Sequence, residues 1–483
     1  MALSLYSSRL VLNIIGIDDF GIFSLVAGVV TMLSFLTSSL VGSTQRFLSV
    51  CQGKGNQAEL QEVFSNSLIL HIILGFFVAM VLEGLGPFLF DGLLRIPSDR
   101  IQIAQKLYQQ VVWMVYVSFL ASPFRALLVS RENIIYTSVI DVLDGILKVV
   151  LVMFLPMIRY DKLYAYGWIM FGIHSFNLLA FSYYCYSRYS ECVLPKLSMF
   201  SWNFVKRLSE YTGWVVYSTV IIAIRNQGTA LVINRFYSVA ANAAYGIGNQ
   251  IANMLAFVST SFTNAISPQL MAAEGAGNRS KMWMLAELQS KFSFLLLAMF
   301  SVPTMFEMPR LLSLWLGQVP EYSVMFACMF LAMQTIDQLS SGVGLANRAI
   351  GTIGKYTFIT FTPKLLVLPL GYLFLCWGKS LYYIVFVMIA TEYICMLIRI
   401  LMFVRKDDFN VVAYCKNVFL KPLFPLLTMI IVCLIIVDTL KMPYRFIVTY
   451  MISIPVFICF IYVFGLNKYE KESITQLIQK FRK

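Results

Sequence analysis

Residues 231–234 read Leu-Val-Ile-Asn, and residues 254–261 read Met-Leu-Ala-Phe-Val-Ser-Thr-Ser. Both words have an echo earlier in the chain, Leu10-Val11-Leu12-Asn13 and Met32-Leu-Ser-Phe-Leu-Thr-Ser-Ser39, at nearly the same offset. Each lies in a long apolar run, so the chain reads as two parallel copies of one set of membrane helices. Parallel repeats of this kind build the paired lobes of many transporters, where substrate is held between lobes that rock to alternate access. Transport is therefore expected ahead of catalysis. The competing reading is chance recurrence of short apolar words in a chain that is 59% hydrophobic.

Composition supports a bilayer protein. Only 13% of residues are charged, against the ~25% of an ordinary soluble domain, and the mean hydropathy is +0.76. Stretches of about 20 apolar residues, the length that crosses a hydrocarbon core, fall near 22–43, 65–90, 109–130, 136–157, 164–186, 212–234, 239–263, 292–315, 322–346, 356–377, 381–404, 418–438 and 445–465. Met1 to Ile15 is apolar but shorter than a span, with Arg9 in its middle, and is expected to form the outer part of an incomplete first helix. The expectation is an all-α integral membrane protein of about 14 transmembrane helices. Its parts are an N-lobe at 1–187 (spans 1–6), a linker at 188–211, a C-lobe at 212–404 (spans 7–12), accessory spans 13 and 14 at 405–465, and a basic tail at 466–483. No loop reaches the roughly 50 residues that a folded domain needs. Within the linker, the basic amphipathic run Phe204 to Tyr211 is expected to lie along the membrane surface.

Lys and Arg in the connections set the orientation. With the loop holding Arg46 inside, the inner segments and tail carry twenty bases, Lys291 among them, and the outer loops nine, Arg445 among them. The C-terminus is then cytoplasmic. The formal charge of +13 belongs mostly to a rim that meets anionic headgroups, and no nucleic-acid partner is implied.

Several chemistries are excluded. No GxxxxGK[ST] loop is present, so the chain does not hydrolyse ATP by that route. His71 and His174 stand alone on different spans without the carboxylate or cysteine neighbours that a metal needs. The nine cysteines are scattered and show no CxxC spacing, so neither a disulfide framework nor a metal site is indicated. No cofactor is expected, and no enzymatic role.

The spans nonetheless hold eight bases and six acids, each costing about 2.5–3.5 kcal/mol at mid-bilayer if it faced lipid. A wet interior is the simplest accommodation. Lys421 and Arg399 lie near cytoplasmic ends and are expected to snorkel; Glu307 and Arg310, spaced i,i+3, are expected to neutralise one another. Arg9, Arg225 and Lys364 sit mid-span with no acid at helical spacing, which makes them candidates to contact an anionic substrate. The alternative is pairing with an acid on another helix, such as Glu392 or Asp337. Asp141, Asp144 and Lys148 share one helical face. Two carboxylates so close suit a carrier of H+ or Na+, and Asp337 and Glu392 join them as ion-coupling candidates; a structural Asp144–Lys148 bridge is the other reading. Asn226, Gln227, Asn249 and Gln250 add hydrogen-bonding amides, for substrate or for interhelical contacts. The last two spans carry almost no polar group and are expected to face lipid.

Three stretches resemble the polysaccharide-transporter branch of the multidrug/oligosaccharidyl-lipid/polysaccharide (MOP) exporter superfamily, which includes the Wzx-type O-antigen flippases. They are Ser8-Arg9 through Gly16-Ile17-Asp18-Asp19-Phe20-Gly21-Ile22-Phe23, then Ser43-Thr44-Gln45-Arg46-Phe47, and Ile266-Ser267-Pro268-Gln269-Leu270. The resemblance implies a V-shaped, MATE-like pair of six-helix lobes plus an accessory helix pair in a bacterial inner membrane. It implies an undecaprenyl-diphosphate-linked oligosaccharide as the substrate moved to the periplasmic leaflet, membrane lipids around it, and other polysaccharide assembly proteins as possible partners. A cation-coupled multidrug exporter and a lipid II flippase of the same superfamily are the alternatives. On residue chemistry, Arg9, Arg225 and Lys364 would hold the diphosphate.

Overall fold

The computed structural model describes residues 2–93, 96–195, 199–404, 409–442, 444–468 and 470–472. Among these every regular element is helical: α1 (Ala2–Ile15), α2 (Ile17–Lys54), α3 (Gln57–Phe88), α4 (Ile101–Ser130), α5 (Ile134–Phe154), α6 (Lys162–Arg188), α7 (Trp202–Phe236), α8 (Val239–Gly275), α9 (Arg279–Leu316), α10 (Ser323–Gln338), α11 (Ser341–Ile350), α12 (Ile353–Phe361), α13 (Val367–Cys376), α14 (Tyr382–Leu401), α15 (Val411–Tyr414), α16 (Lys421–Thr439) and α17 (Arg445–Phe460), with short 3-10 and π turns between some of them. Eight helical segments among the described residues are long and apolar enough to cross a membrane. The protein is a multi-pass membrane protein.

Two compact units divide the chain, residues 1–216 with 275–277 and residues 217–274 with 278–483. The repeated words fall on matching elements. Leu10–Asn13 closes two residues before the end of α1, and Leu231–Asn234 two before the end of α7. The second pair of words lies within α2, of 38 residues, and α8, of 37.

Helix starts follow local chemistry. The side-chain oxygens of Asn56, Asn133 and Asn278 accept from the backbone N–H three residues on, at 3.2, 3.3 and 3.0 Å, and Asp161 caps α6 through Leu163 and Tyr164. Each cap satisfies a donor that the first helical turn would otherwise leave bare. Gly16, at φ 88°, makes the break between α1 and α2, a conformation other residues rarely adopt.

In the first unit α4 is the central helix, 67% buried along its apolar window, and α2, α3 and α6 pack around it. Phe204 to Tyr211 is not a separate segment. It opens α7, and Phe204, Val205, Leu208 and Tyr211 are buried, with Phe204 edge-on to Phe47 at 5.3 Å. Those positions form one helical stripe, which is the apolar face buried against protein.

In the second unit α16 and α17 pack on α9, where Met429, Cys433 and Phe457 meet Phe294, Leu295 and Ala298. The last two spans therefore bury one face against protein, while Ile431, Leu434 and Met451 stay exposed. The pair also accounts for a difference between two helices at matching places in their units. Along its apolar window α9 is 61% buried and α3 only 33%, and α3 leaves Phe76, Phe77 and Met80 exposed.

Candidate functional site

Two of the expected spans are interrupted. A short turn at Leu339 and Ser340 separates α10 from α11, and a 3-10 turn at Thr362–Leu366 separates α12 from α13. Pro363 opens that second turn; it lacks an N–H and crowds the preceding carbonyls, so a continuous helix fails there. The turn brings Lys364 into the interior of the second unit, with only 4% of its side chain exposed.

Three helices converge on it. Glu392, on α14, is 4% exposed and bridges two cations: Lys364 Nζ donates to Oε1 at 2.5 Å, and Arg225 Nη1, from α7, donates to Oε2 at 3.0 Å. Asp337, on α10, accepts from Arg399 Nη1 at 2.6 Å and stands 4.0 Å from Lys364. Arg399 also donates to Ser340 Oγ at 3.3 Å. The result is one line of alternating charge, Arg225, Glu392, Lys364, Asp337, Arg399, buried except at Asp337, whose side chain is 34% exposed. With three cations against two carboxylates, it keeps one positive charge in excess. Such a line survives burial only because each charge is paired and hydrogen-bonded.

A cavity of about 160 Å³ opens on this line, with Asn226, Asn249, Asn253 and Gln334 among its walls. Arg225 Nε donates to Asn226 Oδ1 at 3.1 Å, and Gln334 donates to Asn253 at 3.3 Å. Positive charge and amides together can take an anionic or hydroxyl-rich ligand.

The first unit holds a second polar cavity, of about 440 Å³, lined by Ser118, Ser122, Arg125, His174 and Asn177 among others. Arg125 forks onto Asp141 at 2.7 and 2.9 Å, and Asn177 donates to Asp144 Oδ1 at 2.6 Å. Both members of the Arg125–Asp141 pair are about half-exposed.

Several expectations need correction. Arg225 and Lys364, without an acid at helical spacing, take the alternative of an acid on another helix: both rest on Glu392. Arg399 does not snorkel; it is buried on Asp337. Glu307 does not pair with Arg310. Its carboxylate takes Arg445 at 2.8 and 3.1 Å and Thr449 at 2.8 Å, while Arg310 donates to the Met442 carbonyl. Lys291 is no loop residue: fully buried in α9, it meets Glu470 at 2.6 Å. Asp144 bonds Asn177 in place of an Asp144–Lys148 bridge. Asn226 and Asn249 line the cavity, whereas Gln227 and Gln250 are exposed outside it. Asp337 and Glu392, expected both as ion-coupling candidates and as alternative partners of the bases, belong to the same cluster as Arg225 and Lys364. The side chain of Arg9 on α1, with Arg95, Lys196, Arg405, Lys406 and the tail beyond 472, lies outside the described residues. Sequence reasoning missed Arg399 and Arg445, whose partners lie 62 and 138 residues away; Pro363 was the one local signal that the interior turn could have left.

No known family profile matches the chain. It is similar to the uncharacterized membrane protein EpsK of Bacillus subtilis, 20% identical over 339 residues, a match that spans 68% of this chain and 64% of that relative's length. Among solved structures it resembles MATE in the bent conformation (TM-score 0.75, 15% identity, 86% of this chain and 92% of that one). It also resembles an outward-facing multidrug resistance MATE family transporter of the MOP superfamily (0.72, 14%, 86% and 94%). A third is a MOP superfamily transporter from Pyrococcus furiosus described for the reverse polarity of its binding pocket (0.72, 14%, 86% and 92%). The chain has the MATE transporter fold.

Proposed function

We propose that this protein is a non-enzymatic transporter of the polysaccharide branch, carrying an undecaprenyl-diphosphate-linked oligosaccharide from the cytoplasmic to the periplasmic leaflet by alternating access. The observation that carries this reading is the cluster of three buried cations and two carboxylates, one buried and one partly exposed, beside an amide-lined cavity. Its surplus positive charge favours a diphosphate, and its amides suit sugar hydroxyls. A multidrug exporter for cationic drugs is disfavoured here, because the acids of this cavity are already occupied by bases. A lipid II flippase shares the same chemistry and remains the second reading. The Lys and Arg count favours an inner-membrane orientation with a cytoplasmic C-terminus.

Coupling to H+ or Na+ through Asp141, Asp144 and Lys148 belongs to the same proposal. It fails if Asp141→Asn and Asp144→Asn leave transport and its dependence on the ion gradient unchanged. The substrate itself is tested by mass spectrometry of lipids that copurify with the protein in mild detergent. A polyprenyl-diphosphate sugar supports the reading, and a lipid II species moves the assignment to the second. A drug-like cation, or no lipid at all, defeats both.

A further inference from the structure

We infer that Glu392 is a resident counter-anion. In the substrate-free protein its carboxylate holds the place of a phosphoryl group between Arg225 and Lys364, and substrate binding displaces it. The inference rests on the anionic-substrate reading of the cavity proposed above.

The geometry is that of a small anion bound by two cations from different elements. Each oxygen of Glu392 serves one base, Arg225 at 3.0 Å and Lys364 at 2.5 Å, as two oxygens of a phosphate would. The carboxylate leaves donors over. Arg225 uses Nη1 on Glu392 and Nε on Asn226, so Nη2 has no hydrogen-bond partner among the described residues. Lys364 has three N–H donors; one serves Glu392, and its next acid, Asp337, is 4.0 Å away. A phosphoryl group offers more acceptor oxygens and more charge than a carboxylate, so it can engage these donors where Glu392 cannot. All of this borders the cavity, whose walls include Arg225, Lys364 and Glu392.

A bound phosphate leaves Glu392 without its cations in a buried place, an unfavourable state that caps substrate affinity. That cap has a use. A carrier must let go of its cargo on the far side, and a tethered competitor that returns to the two bases drives release. Asp337 does not share this role: it is held chiefly by Arg399 at 2.6 Å and stays paired when Glu392 moves.

The test measures binding of farnesyl diphosphate, as a soluble probe, to the purified full chain in detergent. Glu392→Gln removes the competing charge and is expected to tighten binding at least about tenfold, because a like charge against the ligand costs several kcal/mol, while slowing export in cells. Asp337→Asn is the control and shifts affinity less. Since Glu392→Gln removes the acid that Arg225 and Lys364 share and could fold poorly, Glu392→Ala is assayed with added formate, which should occupy the vacated place and compete with the probe. Tighter binding in Glu392→Gln, or formate competition in Glu392→Ala, supports the inference. Equal or weaker binding in folded Glu392→Gln, with the wild type still binding, makes Glu392 a brace that positions the bases and overturns the inference while the anionic-substrate reading stands. Absence of binding in the wild type and in both variants removes that reading, and the inference falls with it.

Discussion

Lys364 and Glu392 meet at 2.5 Å with 4% of each side chain exposed, one on a proline-initiated turn and the other in the middle of α14. Glu392 also holds Arg225, so neither base depends on a partner of its own. The carboxylate is the shared element. Removing one base leaves Glu392 still paired, whereas removing Glu392 leaves Arg225 without an acid and Lys364 with only Asp337, at 4.0 Å.

Arg225→Ala is therefore expected to abolish export of lipid-linked sugar without lowering the amount of protein, because Glu392 retains Lys364. Surface glycan and membrane immunoblots, measured on the same cells, check this. Retained export would show that Arg225 does not hold the phosphate.

Glu307 behaves differently, since it is fully buried and is the acid that holds Arg445. Glu307→Ala should lower stability by about 3–5 kcal/mol by leaving a guanidinium unpaired inside the protein, seen as a fall in melting temperature in detergent. Adding Arg445→Met to that variant should recover much of the loss. A double variant no more stable than the single would mean that the pair does not anchor α17 to α9.

The packing of α11 on α9 turns on Gly342. A Cβ there would collide with the carbonyl oxygen of Ala286, and the Gly342 N–H donates to Ser290 Oγ at 2.8 Å. Gly342→Ala should cost at least about 1–3 kcal/mol, as overpacking does, and reduce the yield of folded protein. Gly84 has open space around its missing Cβ, so Gly84→Ala should be neutral or slightly stabilising. Similar melting temperatures for the two variants would contradict the close approach.

Orientation can be read by thiol labelling. In spheroplasts a membrane-impermeant maleimide should label Lys379→Cys at once, and Arg188→Cys only after permeabilisation. The reverse order would invert the topology derived from the basic loops.

The amino-acid sequence by itself determined the helical membrane class, the duplicated order of elements and the fact that charges must be buried. Hydropathy over about 20 residues and repeated words are local properties, and the bilayer leaves few other ways to satisfy a backbone. Asn56, Asn133 and Asn278 were likewise sufficient to start their helices, because a cap acts within one turn.

Tertiary structure alone decided who pairs with whom. Helical spacing exposes partners three or four residues apart, whereas Arg225 and Glu392 are separated by 167 residues, Glu307 and Arg445 by 138, and Lys291 and Glu470 by 179. Local periodicity therefore pointed Glu307 to Arg310, and position near a span end sent Arg399 toward the headgroups. Burial cost is what reassigned them: a charge withdrawn from water goes to whichever opposite charge the packing brings within reach, and that is fixed by how helices distant in sequence come to lie side by side.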